Sequence, residues 1–251
     1  MPMKRFVCLL AVGLCLAQTS LASSFSIEPF KAQLMPARGK TSQVFRFANT
    51  GDTPQAINMA VESWTFDTHG VEVNKPDSDS FTIYPQQFVL APRSEQRVRV
   101  TWTKPMPETE QAFRLIAEQL PVDFSTVDTL PTSAEQALRY LLVYRAALYV
   151  TPPKARNEVD VQAFTTSTDD HGQRWLDLTL ANAGRAHTLL KNPTLTLEDT
   201  SGQNLSLSGA PMDALNGQNI MAGGLRKVRV PLPANATNEI KAVALDFTTG
   251  L

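Results

Sequence analysis

Cysteine is almost absent from the sequence. The 251 residues contain only two, Cys8 and Cys15, and both lie within the first 22 residues. The rest of the chain therefore has no intrachain disulfide, thiol nucleophile or zinc–thiolate site available to it. We expect a fold that is held together by hydrophobic cores alone.

Histidine is also scarce, and motifs for enzymatic chemistry are missing. His69 and His171 each precede a glycine in a turn pattern, and neither they nor His187 have a second ligand at metal-binding spacing. We interpret all three as turn or surface histidines. The sequence has no Gly-x-Ser-x-Gly motif and no phosphate-binding loop. These absences argue against an enzyme, and we expect no metal and no other cofactor.

The first 22 residues have the composition of a cleaved secretory signal. Lys4 and Arg5 precede an apolar run over residues 6–17, and a small-residue site ends at Ala22. Cleavage after Ala22 would leave 229 residues with 21 basic and 24 acidic side chains, a net charge of −3. That balance gives no basis for nucleic acid or a membrane surface as partner. We expect an exported chain without a membrane-spanning segment.

Alternation of apolar and polar residues dominates the remainder of the chain. In RVRVTWT, residues 97–103, Val98, Val100 and Trp102 alternate with polar side chains, which is typical of a half-buried strand. Turn signals rich in glycine, asparagine and proline separate such runs. The pattern predicts an all-β fold made of short strands, as in β-sandwiches.

The alternation breaks at residues 152–157, where two prolines and two basic residues indicate a short linker. The flanking segments, 23–151 and 158–251, are each near the roughly 100 residues of an immunoglobulin-like sandwich. We therefore predict two immunoglobulin-like domains in tandem. A single larger β-domain is the alternative.

The run ALRYLLVYRAALYV, residues 137–150, is unusually apolar for a soluble protein. Its tyrosines and valines favour a strand over a helix. The side chains of such a strand point to two faces. One face carries Leu138, Tyr140, Leu142 and Tyr144, and the opposite face carries Leu141, Val143, Arg145, Ala147 and Tyr149. One set can fill the core of its own domain, and the other has no evident place in the chain. Because a bare hydrophobic edge promotes aggregation, this strand predicts a binding partner. The alternative is a long strand buried on both faces.

Several segments, in order, resemble the periplasmic chaperones of the chaperone–usher pilus pathway, the PapD-like family. They are SIEPFKAQL, FRFANTGDTPQAINMAVESW, FTIYPQQFVLAPRSEQRVRVTW, FRLIAEQLP and LLVYRAALYVTPP. The resemblance covers essentially the whole chain after residue 22 and is most specific in the first domain. It implies two immunoglobulin-like domains arranged as an L or boomerang with a cleft between them. Departures from the better-known members, together with the missing cysteines, point to the archaic type.

The resemblance also implies a function. Such a chaperone lends the last strand of its first domain to a pilus subunit that lacks a strand, in a one-to-one complex, and delivers the subunit to an outer-membrane usher. Main-chain hydrogen bonds hold the added edge, and alternate apolar side chains fill the groove of the subunit. The donated set is then Leu138, Tyr140, Leu142 and Tyr144, although a one-residue shift of register would exchange the faces. The polar segment 122–136 would be the loop that leads into this strand.

Members of the family hold the C-terminal carboxylate of the subunit with two basic residues in the cleft, where charge-assisted hydrogen bonds suit that anion. The aligned positions here carry Lys31 and Ala147, so the usual pair is incomplete. The candidates are Lys31, Arg145 on the same face as Ala147, and Arg99 in the segment QRVRV. For Arg99, an ordinary outward-facing strand arginine is the equal alternative.

Two other functions stay open. A structural or adhesive immunoglobulin-like protein, such as a pilus subunit, would bring its own N-terminal donor segment, whereas the surplus strand here ends the first domain. A hydrolase on a β-sandwich would need convergent carboxylates or a nucleophile motif, and the sequence has neither.

Overall fold

The computed structural model describes residues 25–122, 124, 140–236 and 239–250. These residues form strands and two 3-10 helices, Pro36–Arg38 and Ala210–Met212. The strands of the first half are β1 (Phe25–Glu28), β2 (Lys31–Leu34), β3 (Ser42–Asn49), β4 (Gln55–Phe66), β5 (Glu72–Pro76), β6 (Phe81–Tyr84), β7 (Gln87–Leu90), β8 (Glu95–Trp102), β9 (Gln111–Gln119) and β10 (Val143–Val150). Those of the second half are β11 (Val159–Thr168), β12 (Arg174–Asn182), β13 (Thr188–Asp199), β14 (Asn204–Leu207), β15 (Asn219–Ile220), β16 (Leu225–Pro231) and β17 (Ile240–Gly250).

The first half is a sandwich of two sheets. One sheet has the order β1-β3-β8-β6, and the other has the order β2-β10-β9-β4-β5, with β7 also paired to β4. Alternation along each strand decides what lies between the sheets: Val98 and Val100 of β8 are buried, as the pattern predicted, and they pack with Phe45, Phe47 and Leu115.

The second half is a smaller sandwich built in the same way. One sheet has the order β11-β12-β16, and in the other β13 pairs with β14, β15 and β17. Leu176, Leu178 and Leu180 of β12 face a core of their own, which also takes in Leu195 and Val230. The two cores lie on either side of the predicted linker, and the predicted fold class, all-β with two immunoglobulin-like sandwiches, is confirmed.

The apolar run 137–150 is a strand over a shorter length than the sequence predicted. Strand β10 begins at Val143, opposite Glu118 near the end of β9, because a strand needs a paired neighbour and β9 ends at Gln119. Residues 140–142 precede the strand, and residues 137–139 lie outside the described part of the chain.

A third, smaller apolar cluster joins the two halves. It contains Trp64, Ala112 and Tyr149 from the outer face of the sheet that holds β10, and Met221 from the second half packs against it. Among the described residues, none of the helices has the length and hydrophobicity that a bilayer crossing requires.

Candidate binding edge and basic cluster

Strand β10 has one edge that is covered for only half of its length. On one side it pairs with β9 from Val143 to Val150. On the other side β2 runs parallel to it, and the pairing reaches only from Val150 back to Ala147, whose N–H donates to the carbonyl of Phe30 at 2.9 Å. No strand in the described ranges continues this pairing toward Val143. Because backbone groups of alternate residues point to the same side, the N–H groups of Val143 and Arg145 point toward this open edge.

The core-facing side chains of β10 become steadily more exposed along this open half. Ala146, Leu148 and Val150 are fully buried. Before them, Tyr144 and Leu142 are half-buried against the same core, and Tyr140 is 76% exposed. The row therefore extends beyond the end of the core that it helps to form. Leu138, the fourth member of the predicted donated set, lies outside the described residues.

Tyr144 differs from the other members of this row because its own domain holds it. Its hydroxyl donates to the carbonyl of Phe25 at 2.7 Å, and its ring makes an edge contact with the Phe25 ring at 4.9 Å between centroids. Phe30 packs against the other side of the Tyr144 ring and is itself 54% exposed. Leu142 and Tyr140 have no comparable side-chain hydrogen bond that would hold them to the domain.

The opposite row of β10 has two environments. Leu141 and Val143 are each 50% exposed, whereas Tyr149 is buried between the two sandwiches. On this face, domain packing buries Tyr149 and partly buries Ala147, whereas Leu141 and Val143 remain at the surface.

Basic side chains gather on the outer face of this sheet. The register places Lys31 of β2, Ala147 of β10 and Arg114 of β9 side by side. Neighbouring strands lie about 4.8 Å apart, so the backbones of Lys31 and Arg114 are roughly 10 Å apart with only a methyl group between them. Arg145 lies two residues before Ala147 on the same face. Lys31, Arg114 and Arg145 thus surround the small side chain of Ala147 on this face of the sheet.

Two of these three cations already have carboxylate partners. Arg145 Nη1 lies 2.9 Å from Glu62 Oε2, and Arg114 makes two hydrogen bonds to Glu72, one of them from Nε at 3.2 Å. The Arg114 guanidinium also stacks over the Trp64 ring, 3.9 Å from its centroid. These hydrogen bonds, with the charges of both arginines, outweigh burial and hold the pKa of Glu72 below its usual range.

Lys31 is the remaining cation. Its Nζ lies 5.3 Å from the centroid of the Tyr149 ring, and it forms no ion pair with any carboxylate in the described part of the chain. The cluster therefore carries one positive charge more than its carboxylates balance. An additional carboxylate is the group that would complete it.

Arg99 does not join this cluster. It lies on β8, in the other sheet of the sandwich, where the register places it between Val44 of β3 and Tyr84 of β6. Its side chain is exposed on the outer face of that sheet, so it points away from Lys31 and Arg145. The arginine that the register places beside Ala147 is Arg114, which was not among the predicted candidates. The alternation of buried Phe113, Leu115 and Ala117 already placed Arg114 outward, but only the strand order shows which residues it neighbours.

One histidine prediction is wrong. His69 and His171 lie exposed in turns, but His187 is 3% exposed at the junction of the two sandwiches. Its ring stacks on Tyr149, and its Nδ1 is hydrogen-bonded to Glu110, both of which belong to the first sandwich. The sequence around His187 gives no signal of this, because the burial comes from domain packing. No cluster of three metal-ligating side chains occurs in the ranges that the structure describes.

Comparison with known proteins adds to these observations. Residues 27–156 match the family model described as "Pili and flagellar-assembly chaperone, PapD N-terminal domain". The structure is similar to that of the Class 5 fimbriae chaperone CfaA, with a TM-score of 0.58 and 15% identity over 90% of this chain and 92% of that chain. No curated protein matches the sequence.

A second similar structure comes from the CsuC–CsuE chaperone–tip adhesion subunit pre-assembly complex of the archaic chaperone–usher Csu pili of Acinetobacter baumannii. Its TM-score is 0.54, with 15% identity over 87% of this chain and 91% of that chain. Likeness at such identity shows the shared fold. The family model, however, spans more than half of the chain. The chain therefore belongs to the PapD-like family of pilus and flagellar-assembly chaperones.

Proposed function

We propose that this chain is a periplasmic chaperone that binds a pilus subunit by adding strand β10 to the incomplete sheet of that subunit. The open edge of β10 beside Val143 and Arg145 is the observation that carries the proposal. An unpaired edge with free N–H and C=O groups is a template for one more strand, and β-augmentation uses such an edge.

The geometry of sheet extension favours the core-facing row as the donated set. A strand added at the open edge continues the same sheet, so side chains that face the core of this domain also face the core of the partner. Tyr140 and Leu142 lie in that row where the core of this domain ends. With Leu138 and Tyr144 they make the predicted set of four, which would supply roughly 6–12 kcal/mol before the costs of ordering.

We place the C-terminal carboxylate of the subunit at the basic cluster. Lys31 supplies the cation without a carboxylate partner, and Arg145 is within reach once it releases Glu62. Arg114 contributes positive charge while it remains bound to Glu72. Arg99 is left out because it faces away. Charge-assisted hydrogen bonds are roughly twice as strong as neutral ones, which suits a site that must fix one end of the partner.

The partner class and the location follow from the family. The similar Csu structure is, by its description, a complex of a chaperone with a tip subunit before assembly. For this chain we infer a one-to-one complex with a pilus subunit in the periplasm, reached through the signal predicted in residues 1–22. Delivery to an outer-membrane usher is the step that we expect to follow.

The test is native mass spectrometry of C-terminally tagged protein purified from the periplasm of its own host. The wild type is compared with Tyr140→Asp, which places a charge in the core-facing row without opening the core of the domain. Leu141→Asp is the matched control, because Leu141 is similarly apolar and exposed but lies in the opposite row.

We expect a one-to-one complex with a small secreted subunit for the wild type and Leu141→Asp, and free chaperone for Tyr140→Asp. Loss of the complex in Leu141→Asp alone would assign donation to the other face. A wild type that stays uncomplexed while its subunit is expressed would contradict the proposal.

A further inference from the structure

A buried carboxylate joins the two sandwiches. Glu110 directly precedes β9, and its side chain is 2% exposed. His187 of the second sandwich contacts it twice: Nδ1 is hydrogen-bonded to Oε1, and the main-chain N–H donates to the same oxygen at 2.9 Å. The N–H of Glu110 in turn donates to the carbonyl of Arg185 at 3.0 Å. Glu110 is thus bound to the second sandwich through both its side chain and its backbone.

The other carboxylate oxygen of Glu110 is bound to the end of the candidate donor strand. Thr151, directly after β10, donates its hydroxyl to Oε2 at 2.6 Å, and Gln33 donates to Thr151 Oγ1 at 2.8 Å. Tyr149 stacks face to face on His187, with 4.0 Å between ring centroids and 5° between ring planes. The network therefore links β2, the end of β10, the start of β9 and the start of β13 in one buried site.

A second contact between the sandwiches lies at the β4–β5 turn. The N–H of Lys227 donates to the carbonyl of Thr68 at 2.6 Å. The Arg226 guanidinium lies 4.6 Å from the centroid of the Phe66 ring and against the backbone of Gly70. Arg226 keeps its charge at all ordinary pH values, and the titratable groups of the turn beside it are Asp67 and His69.

Other contacts between the sandwiches are the packing of Met221 on the Trp64–Tyr149 cluster and the hydrogen bonds from Asn219 to Tyr149 and from Arg185 to the carbonyl of Glu108. At the contacts named here, the carboxyl group that accepts hydrogen bonds across the junction is that of Glu110.

We propose that the Glu110–His187 pair is a proton-sensitive lock that fixes the angle between the two sandwiches, and that protonation of Glu110 opens it. An ionised carboxylate accepts all of the donors that surround it here. A neutral carboxyl group has lost the negative charge that makes the hydrogen bonds from His187 and Thr151 charge-assisted, so these bonds become weaker. The contact then holds the second sandwich less strongly, and the sandwiches can separate and admit water to the buried polar groups. The β4–β5 contact would then act as the pivot.

The titration behaviour of Glu110 agrees with this geometry. Burial by itself raises the pKa of Glu110, but the hydrogen bonds and charge of His187 and the hydroxyl of Thr151 more than offset it, so the pKa lies below its ordinary value. The ionisable groups near this site are His187, which faces Glu110, Tyr149, which stacks on His187, and Lys75 and Asp77, which line the same pocket as Glu110. Tyr149 in turn feels the charges of Arg114 and Glu72, and Lys31 lies over its ring.

The lowered pKa of Glu110 decides at which pH the lock is closed. A carboxyl group whose pKa is lower in the folded protein stabilises the contact above its unfolded pKa, about 4.3 for glutamate, and this stabilisation is lost as the pH falls through the folded value. The lock is therefore closed at neutral pH and opens only in acid.

The lock also borders the proposed anchor for the subunit. Tyr149 contacts His187 and lies beneath Lys31. If the proposed function holds, opening the lock changes the surroundings of the cation that receives the carboxylate. The lock itself does not depend on that function, and its test uses no subunit.

The experiment measures the distance between the sandwiches by pulsed electron paramagnetic resonance. Both native cysteines lie in the first 22 residues, so labels on Thr82→Cys and Ser206→Cys of the exported protein report on one exposed site in each sandwich. Each sample is measured at about pH 7 and then at decreasing pH, to the lowest pH at which the sandwiches stay folded, because Glu110 takes up its proton below the ordinary carboxyl pKa of about 4.3. Circular dichroism at each pH shows that the sandwiches stay folded.

We expect a narrow distance distribution for the wild type at neutral pH and a roughly doubled width in acid, as for a released hinge. Glu110→Gln should show the broad distribution already at neutral pH. Glu108→Gln, an exposed carboxylate two residues away, should behave as the wild type. A folded wild type that stays narrow in acid, or a Glu110→Gln variant as narrow as the wild type, would overturn the proposal. If Glu110→Gln fails to fold, His187→Gln and the wild-type pH comparison decide it by the same criteria.

Discussion

Arg145 and Glu62 face each other across strand β9, with 2.9 Å between Nη1 and Oε2. Glu62 therefore competes for Arg145 with the carboxylate of the subunit, which the proposed function places at the same basic cluster. Glu62→Gln should free Arg145 and remove a like charge, so binding of an isolated subunit should tighten. Exposed ion pairs contribute about 0.2–1 kcal/mol, which corresponds to roughly a 1.5- to 5-fold lower Kd by biolayer interferometry.

Asp52→Asn is the matched control for this change. Asp52 also forms an exposed ion pair, with Arg93, but lies outside the basic cluster. Its removal should leave the Kd unchanged. Weaker binding by Glu62→Gln than by Asp52→Asn would mean that Glu62 positions Arg145 rather than competing for it.

Lys31 is expected to contribute more to binding than either arginine, because it is the cation without a carboxylate partner. Lys31→Ala should weaken subunit binding by about 10- to 100-fold, since a hydrogen bond to a charged group contributes about 1.5–3 kcal/mol. Lys40→Ala, an exposed lysine elsewhere on the domain, serves as control for net charge. If both variants bind the subunit with equal affinity and unfold at the same urea concentration as the wild type, Lys31 does not belong to the binding site.

Gly70 is the glycine at which packing between the sandwiches leaves no room for a side chain. A Cβ there would lie 1.9 Å from Arg226 Nη1, and the backbone φ is +89°. Gly39 also has a positive φ, of +73°, but has open space around it. Gly70→Ala should therefore destabilise the protein by about 1–3 kcal/mol more than Gly39→Ala in urea unfolding, because Arg226 must leave Phe66.

The same two glycine substitutions are then made in a protein that carries Arg226→Ala. The methyl group added at position 70 has no Arg226 side chain to displace there, so Gly70→Ala and Gly39→Ala should lower the free energy of unfolding by nearly the same amount. A difference that survives the loss of Arg226 would place the cause in the backbone turn itself.

Acid should weaken the ion pair between Glu72 and Arg114. The hydrogen bonds from Arg114 keep the pKa of Glu72 below its ordinary value. The ionised carboxylate therefore stabilises the fold above the unfolded pKa of about 4.3, and this contribution disappears as the pH falls through the folded value. Glu72→Gln should be less stable than the wild type at neutral pH, and the two free energies of unfolding should converge below about pH 4. Curves that stay parallel from neutral pH into acid would contradict this assignment.

The sequence predicted the fold better than the site. Period-two alternation was sufficient to predict that Val98 and Val100 are buried and that the chain is all-β, because alternation along one strand is a local property. The neighbours of a strand are not local. The placement of Arg114 beside Ala147, and of Arg99 in the opposite sheet, depends on strand order. The burial of His187 depends on how the second sandwich packs on Tyr149, which no pattern around His187 records.

The most direct test of donor-strand binding is hydrogen–deuterium exchange of β10, free and in complex with a subunit, at single-residue resolution. In the free protein the amides of Val143 and Arg145 should exchange fast, because they point toward the open edge, while Leu148, deep in the covered half, exchanges slowly. In the complex the Val143 and Arg145 amides should become protected, and those of Tyr144 and Ala146, which face β9, should change little. Val143 and Arg145 amides that exchange equally fast in a saturated complex would show that the subunit does not bind at this edge.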